Sequence, residues 1–270
     1  MRFLLITEAL SNNFEPGLIE ELKNLGINVE ILDISKAKEL KTKKYDLIYS
    51  RMMPYENCGF ISYYISKAFE VIGNKFVDPP DKILNYQNKF ICYELLKTKI
   101  PMAKTKLLLP KSKVKLGRTK IIKPIFGRAG HLVEKLTYPK LIALSLRKKQ
   151  KSYFAYPHII QDYIKFDQLV RVCILNKKPI FAITSKKKGW KDYIYQNARK
   201  YEFDKKLLKY STIAARELNL NICFLDFFKV RKGYIFNEFN YCCDLPDINK
   251  ILGYNFHKKV AKFFIKFHSF

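Results

Sequence analysis

At 270 residues, 48% hydrophobic and 15% aromatic, the chain carries enough apolar material for a sizeable core, which excludes a disordered polymer and implies two or three compact subdomains. Its 51 Lys+Arg against 24 Asp+Glu leave a formal charge of +27, a field that concentrates anions and raises nucleic acid as a candidate partner. No uninterrupted apolar run is long enough to cross a bilayer.

The first 80 residues alternate strand and helix patterns. Arg2–Thr7 reads as an apolar strand rather than a signal peptide, because Glu8 follows at once. Pro16–Leu25 has helical spacing and stops at Gly26. Asn28–Ile34 and Tyr45–Arg51 are strands, 59–72 is helical up to Gly73, and Lys75–Val77 is a brief strand stopped by Asp78-Pro79-Pro80. Such alternation predicts a small parallel α/β domain over 1–80. Asp81–Lys97 reads as one helix. Thr105–Leu109 and Thr119–Pro124 are strands, followed by a loop holding Gly127 and Gly130, and 138–148 is helical. These segments are assigned to a central subdomain, 81–155. The remainder, 156–270, opens with the strands His158–Ile164, Leu169–Leu175 and Pro179–Ser185. Helix Lys205–Leu218, a hairpin and an amphipathic helix over 249–270 close the chain.

The hairpin carries the strongest chemical signal. Strands Ile222–Phe228 and Tyr234–Asn240 are joined by a short turn that ends in Gly233. Side chains two apart on a strand share a face, so Glu238 and Asn240 project together, and pairing brings Asp226 near Glu238. Two carboxylates and an amide oxygen are hard ligands that suit Mg²⁺ held jointly with substrate phosphates. A solvated polar edge is the plain alternative.

Other residues have a physical job beside a nucleotide. Lys89 and Lys123 are cationic donors for phosphate oxygens. The loop of Gly127 and Gly130 lets backbone N–H groups approach phosphates. The strand end Gln161-Asp162-Tyr163-Ile164 can offer backbone groups to an adenine edge. Arg171, between Val170 and Val172, sits in an apolar strand and needs a partner there. It is either a contact for a transferring phosphoryl group or half of a structural ion pair.

The six cysteines show no C-x-x-C spacing and mostly sit in apolar runs, which points to buried free thiols and a cytoplasmic setting. Cys242-Cys243 reads as loop packing, with a vicinal disulfide or a thiol-reactive site as alternatives. The basic residues are spread along the chain, with short clusters at 147–151 and 186–188. No helix-turn-helix, zinc-finger or RNA-recognition signature accompanies them.

Taken in order, Asn88-Lys89, Ile121-Ile122-Lys123-Pro124 with Gly127 and Gly130, Ile159 to Ile164, Leu225-Asp226 and Asn237-Glu238-Phe239-Asn240 resemble the ATP-grasp superfamily. Within it they resemble the RimK-like carboxylate–amine ligases. The resemblance spans nearly the whole chain. It implies an α/β plus α+β architecture, the ATP-grasp fold preceded by a Rossmann-like α/β domain. It also implies ATP and Mg²⁺ (or Mn²⁺) as cofactors. In the implied chemistry a carboxylate takes the γ-phosphoryl of ATP, and an amine such as glutamate then displaces phosphate. Asp226, Glu238 and Asn240 would hold the metal, and Lys89, Lys123, Gly127, Gly130 and residues 161–164 the nucleotide. Arg171 and Asn240 would serve the transfer. The expected partners are ATP, an anionic carboxylate acceptor and an amino-acid or amine donor, in a chain that forms homo-oligomers where the resemblance extends that far.

The departures are specific. Leu169 stands where the family has the Asp of Asp-x-Arg, with Asp167 out of register. Arg128 and His131 are atypical of the glycine loop, and the spacing from Trp190 to Asn197 is long. They leave open a weakly catalytic nucleotide-binding relative with a regulatory role, beside the ligase and a basic nucleic-acid-binding protein.

Overall fold

The computed structural model describes residues 1–8, 14–52, 60–109, 119–127, 133–136, 157–185, 189, 198–241 and 247–269. The segments 138–148 and 242–243, together with Gly130, Arg128, His131, Trp190 and Asn197, lie outside the described residues.

Strand β1 (Arg2–Thr7) pairs in parallel with β2 (Asn28–Asp33) on one side and β3 (Leu47–Ser50) on the other. Alternation along β1 sends its side chains into two different cores. Phe3 and Leu5 join the large core, where Phe3 stacks on Phe264 with ring centroids 5.8 Å apart. Leu4 and Ile6 join a smaller cluster with Phe69 of helix α2 (Ile61–Val71). Burial on both faces is what a parallel sheet requires, and helix α1 (Phe14–Asn24) and the C-terminal helix supply the second cover. The expected strand Lys75–Val77 shortens to a single parallel bridge, Ile48 to Phe76, because Pro79 and Pro80 follow at once.

The helix expected over 81–97 is two helices, α3 (Pro80–Gln87) and α4 (Lys89–Leu96). Asn88 breaks it: its ψ is 108°, and its side-chain oxygen accepts from the N–H groups of Phe90 at 3.0 Å and Ile91 at 3.2 Å. An asparagine that caps a new helix satisfies donors that a continuous helix would have bonded itself.

Strands β4 (Thr105–Leu108), β5 (Lys120–Pro124), β6 (Glu134–Leu136) and β7 (His158–Asp162) form an antiparallel sheet in the order β4-β7-β5-β6. A five-stranded antiparallel sheet follows, in the order β10-β9-β8-β11-β12. Its strands are β8 (Gln168–Leu175), β9 (Lys178–Ser185), β10 (Arg199–Tyr201), β11 (Ile222–Val230) and β12 (Gly233–Asn240). The three-residue strands β6 and β10 carry too little sequence to announce themselves. Between β10 and β11 runs α5 (Lys205–Leu218), capped by Asp204 at its start and by left-handed Asn219 at its end. The expected terminal helix is also two, α6 (Ile248–Leu252) and α7 (Phe256–His268), divided at Gly253, whose φ of 71° ends a helix. Among the described residues no helix is long and apolar enough to cross a membrane. Cys92, Cys173 and Cys223 are buried free thiols.

Asp78 joins the first domain to the last sheet. Buried to 1% exposure, its carboxylate accepts from the N–H of Asn221 at 2.6 Å, the N–H of Ile222 at 3.1 Å and the hydroxyl of Tyr241 at 3.2 Å. It therefore grips the start of β11 and the residue just past β12. Burial pushes its carboxyl up to about 7 against the pull of those donors. Because this folded value lies above the unfolded one of 3.8, the group's contribution to stability is present below about pH 4 and lost as pH rises through about 7. Denaturant titration of the wild type and Asp78→Asn should show their stability difference shifting by roughly 2–4 kcal/mol toward the variant between pH 4 and 8. A pH-independent difference would contradict this account.

Candidate functional site

Residues paired directly across an antiparallel sheet share a face. Arg171 on β8 lies opposite Asp226 on β11, which lies opposite Glu238 on β12, so the three form one row. Arg171 grips Asp226 with both arms, Nε to Oδ1 and Nη2 to Oδ2, each at 2.7 Å. Both residues are buried. Asn240 donates from Nδ2 to Oδ2 of Asp226 at 3.1 Å, which leaves its own oxygen available as an acceptor. Burial pushes the Asp226 carboxyl above its ordinary value, Arg171 pulls it back, and Glu238 pushes it up again.

The ladder slips by one residue between Asp226 and Phe227. Counting back from the Val230–Gly233 pair, an unbroken ladder would set Asn237 against Asp226 and turn Glu238 to the other face. The bulge sets Glu238 there instead and leaves Asn237 as the extra residue. Asn237 then accepts from Nζ of Lys123 at 3.0 Å.

Lys123 stands on β5, and Lys89 is the first residue of α4. The N–H of Lys89 donates to the carbonyl of Ile125 at 2.9 Å and its Nζ to the carbonyl of Gly127 at 2.8 Å, so the helix start is pinned to the strand end. Gly127 has φ 149°, and a Cβ there would come within 3.1 Å of the Pro124 ring. Burial lowers the pKa of Lys123 to about 8, opposed by Glu238 and reinforced by Lys89. Burial lowers Lys89 as well, with Glu238 opposing. Both amines therefore sit where a cation is costly and an additional anion would be welcome.

Lys89, Lys123, Asn237 and Glu238 line one narrow cleft, with Tyr86, Ile159, Gln161 and Phe239 among its other walls. Tyr86 meets Phe239 edge-on, their centroids 6.3 Å apart. At the outer end of β7 the backbone is partly committed. Asp162 donates its N–H to Lys104 at 3.0 Å and pairs its carboxylate with Lys120, and Tyr163 donates to Thr119 at 3.1 Å. The N–H of Ile164 has no partner among the described residues.

The structure thus gathers Lys89, Lys123, Gln161 and Glu238 around one cleft, with Asp226 and Arg171 in the row that ends at Glu238 and Asn240 two residues further along β12 on the same face. Asp162, Tyr163 and Ile164 continue from Gln161, and Gly127 lies behind Lys89. Sequence reasoning missed Tyr86, whose place depends on the helix break at Asn88, and Thr105, which bonds Gln161. Among the described residues no three His, Cys, Asp or Glu side chains gather to hold a metal unaided. Two carboxylates and one amide oxygen make a partial set of hard donors. It fits Mg²⁺, which keeps several waters and takes oxygens from phosphates.

Removing Arg171 would leave Asp226 buried without its cation. Arg171→Ala should cost roughly 3–5 kcal/mol of unfolding free energy, and Arg171→Lys should recover only part of it, because a lysine cannot make the two-armed contact. Equal stability of Arg171→Lys and wild type in chemical denaturation would argue against this pairing.

The family model of the RimK-like ATP-grasp domain matches residues 86–264. No curated protein matches the chain. Among solved structures, the D-cycloserine synthetase DcsG aligns with a TM-score of 0.76 at 14% identity, over 99% of this chain and 100% of that one. The ATP-grasp ligase PsnB, complexed with a phosphomimetic variant of its minimal precursor, Mg and ADP, aligns with a TM-score of 0.72 at 15% identity over 98% of each chain. D-alanine–D-alanine ligase from Bacillus anthracis aligns with a TM-score of 0.71 at 14% identity, over 100% of this chain and 97% of that one. At such identities the likeness establishes the ATP-grasp fold.

Proposed function

Because the chain belongs to the RimK-like ATP-grasp family, we propose that it is an ATP-dependent carboxylate–amine ligase that adds an amino acid such as glutamate to an anionic acceptor. The observation that carries this reading is the cleft itself. The buried Lys123 and the half-buried Lys89, both with depressed pKa values, face a carboxylate-and-amide face across it. That arrangement is poor for an empty protein and good for a polyphosphate with a divalent cation.

In this reading Lys89 and Lys123 bind phosphate oxygens, and the backbone beyond Gln161 receives the base. Asp226, Glu238 and the Asn240 oxygen hold Mg²⁺, whose chemistry when bound is to neutralise charge on the phosphates. An oxygen of the substrate carboxylate attacks the γ-phosphorus, the bond to the β-phosphate oxygen breaks, and ADP leaves. The amine nitrogen then attacks the acyl carbon, phosphate departs with the bonding pair, and the nitrogen loses a proton. The protein's part is mainly to align the reactants and to compensate developing charge. Arg171 acts through Asp226, and Gly127, with Gly130 by the resemblance, would contact the phosphates. The charge of +27 favours an anionic acceptor. The proposed domains are 1–80, a central subdomain from 81 that takes in β7 through Asp162 rather than ending at 155, and the remainder to 270, with the cytoplasm as the setting in which buried thiols stay reduced.

A second reading has one specific support. Leu169 replaces the Asp of Asp-x-Arg, and Arg171 is taken up by Asp226. A relative that binds ATP without turning it over would look like this.

ADP release should be stimulated by the correct pair among pooled amino acids and small carboxylates, and Glu238→Ala should reduce it by about 100-fold or more. Metal-dependent ATP binding without stimulation by any pair would favour the second reading.

The lysines add a pH test. Lys123 loses its proton near pH 8 in the free protein, and bound phosphates would raise that value. ATP affinity should therefore fall as pH rises above about 8, and binding near pH 8.5 should take up protons. Calorimetry in two buffers of different ionisation enthalpy measures this directly. Identical heats in both would rule out the linkage.

A further inference from the structure

Thr105 and Gln161 are opposed across β4 and β7, both buried, and bonded to each other. Their hydrogen bonds can be assigned without ambiguity. Thr105 Oγ1 lies 2.9 Å from the carbonyl oxygen of Ala103, which can only accept, so the one hydroxyl proton is committed there. Gln161 Nε2 lies 3.0 Å from the same Oγ1. With its proton engaged, the hydroxyl offers Gln161 only a lone pair. The amide must therefore turn its NH₂ toward Thr105, and its Oε1 occupies the other branch.

That other branch belongs to the cleft. Ile159 and Gln161 are two apart on β7 and line it together, and Lys123 on β5 is paired with Ile159. Oε1 has no hydrogen-bond partner among the described residues. An acceptor held at a fixed angle on the wall of the cleft, with no donor among the described residues, selects a ligand that brings an N–H to it.

We infer that Thr105 sets the base selectivity of the site through Gln161. The locked Oε1 accepts from the exocyclic amine of adenine, and it disfavours purines that carry an oxygen at the same position, where two acceptors would meet. The inference rests on the nucleotide reading above and goes beyond it. Thr105 is a positioning residue: it touches no ligand and acts only by fixing which end of an amide faces the base. Without its hydroxyl the amide can reverse and present NH₂, which suits the 6-oxo group.

The test compares Mg·ATP with Mg·ITP, which differ at that one position, in direct calorimetric titrations of the full chain. The wild type should prefer ATP. Thr105→Val keeps the side-chain volume and removes the hydroxyl, and it should shrink the ATP-to-ITP preference by about tenfold. Thr105→Ser restores the hydroxyl and should restore the preference, which a merely structural role would not predict. An unchanged preference in a folded Thr105→Val, judged by its circular dichroism and melting, overturns the lock while leaving the nucleotide reading intact. Failure of the wild type to bind either nucleotide overturns both.

Discussion

The one-residue slip between β11 and β12 is the feature on which the site depends. Sheet faces alternate strictly, so a hairpin counted evenly from its turn would divide Asp226 from Glu238 and Asn240. Inserting Asn237 as an unpaired residue re-phases the strand, and all three oxygen-bearing side chains come to one face. The same slip points Asn237 at Lys123. A bulge costs a ladder bond and local regularity, and it persists here because the strands on either side are held elsewhere: Phe227 packs edge-on against Phe236, and β11 is paired to β8 from Ile222 to Lys229.

Burial of charge governs what surrounds it. Asp226 is held on both oxygens, by two contacts from Arg171 and one from Asn240, and keeps lone pairs for a metal. The lysines across the cleft are held differently. Among the described residues Lys89 and Lys123 have only neutral oxygen partners, a backbone carbonyl and an amide, and the first anionic influence on each is Glu238. A carboxylate gripped by an arginine is fixed in position, whereas desolvated cations left with neutral partners store an electrostatic demand that a ligand can meet. The two halves of the cleft thus differ in kind. One is a set of oxygen donors fixed in a sheet, and the other is a pair of cations awaiting counter-charge.

Much of the fold was legible in the sequence because it is written in local patterns. Apolar strands bounded by glycine and proline gave the parallel N-terminal sheet, and Gly233 gave the hairpin. The ordered motifs from Asn88-Lys89 to Asn240 pointed to the ATP-grasp architecture. What was illegible is of two sorts. Boundaries that turn on one residue were lost: Asn88 and Gly253 each split a helix that its apolar spacing would have continued. Relations over long sequence separations were lost too. Asp78 meets Asn221 across 143 residues, and the register of β11 on β12 cannot be read from alternation when one residue is left unpaired. Gln161 drew notice for its backbone neighbours. Its amide became informative only when Thr105, 56 residues earlier, was found to fix its direction.

Those long-range ties also explain how the cleft keeps its geometry with so few direct bonds across it. The cap at Asn88 ends α3 and starts α4 at Lys89, and the Lys89 N–H then bonds the strand that carries Lys123. At the opposite wall Asp78 holds the start of β11 and the residue after Asn240, while Tyr241 packs against Tyr49 and Tyr49 against Phe264. Helix α7, which carries Phe264, also covers the first strand through Phe3. Each wall is therefore fixed by contacts behind it, outside the space a ligand would occupy. Groups held from behind can be charged, oriented and incompletely solvated together, which is the condition for electrostatic preorganisation rather than for a collapsed core.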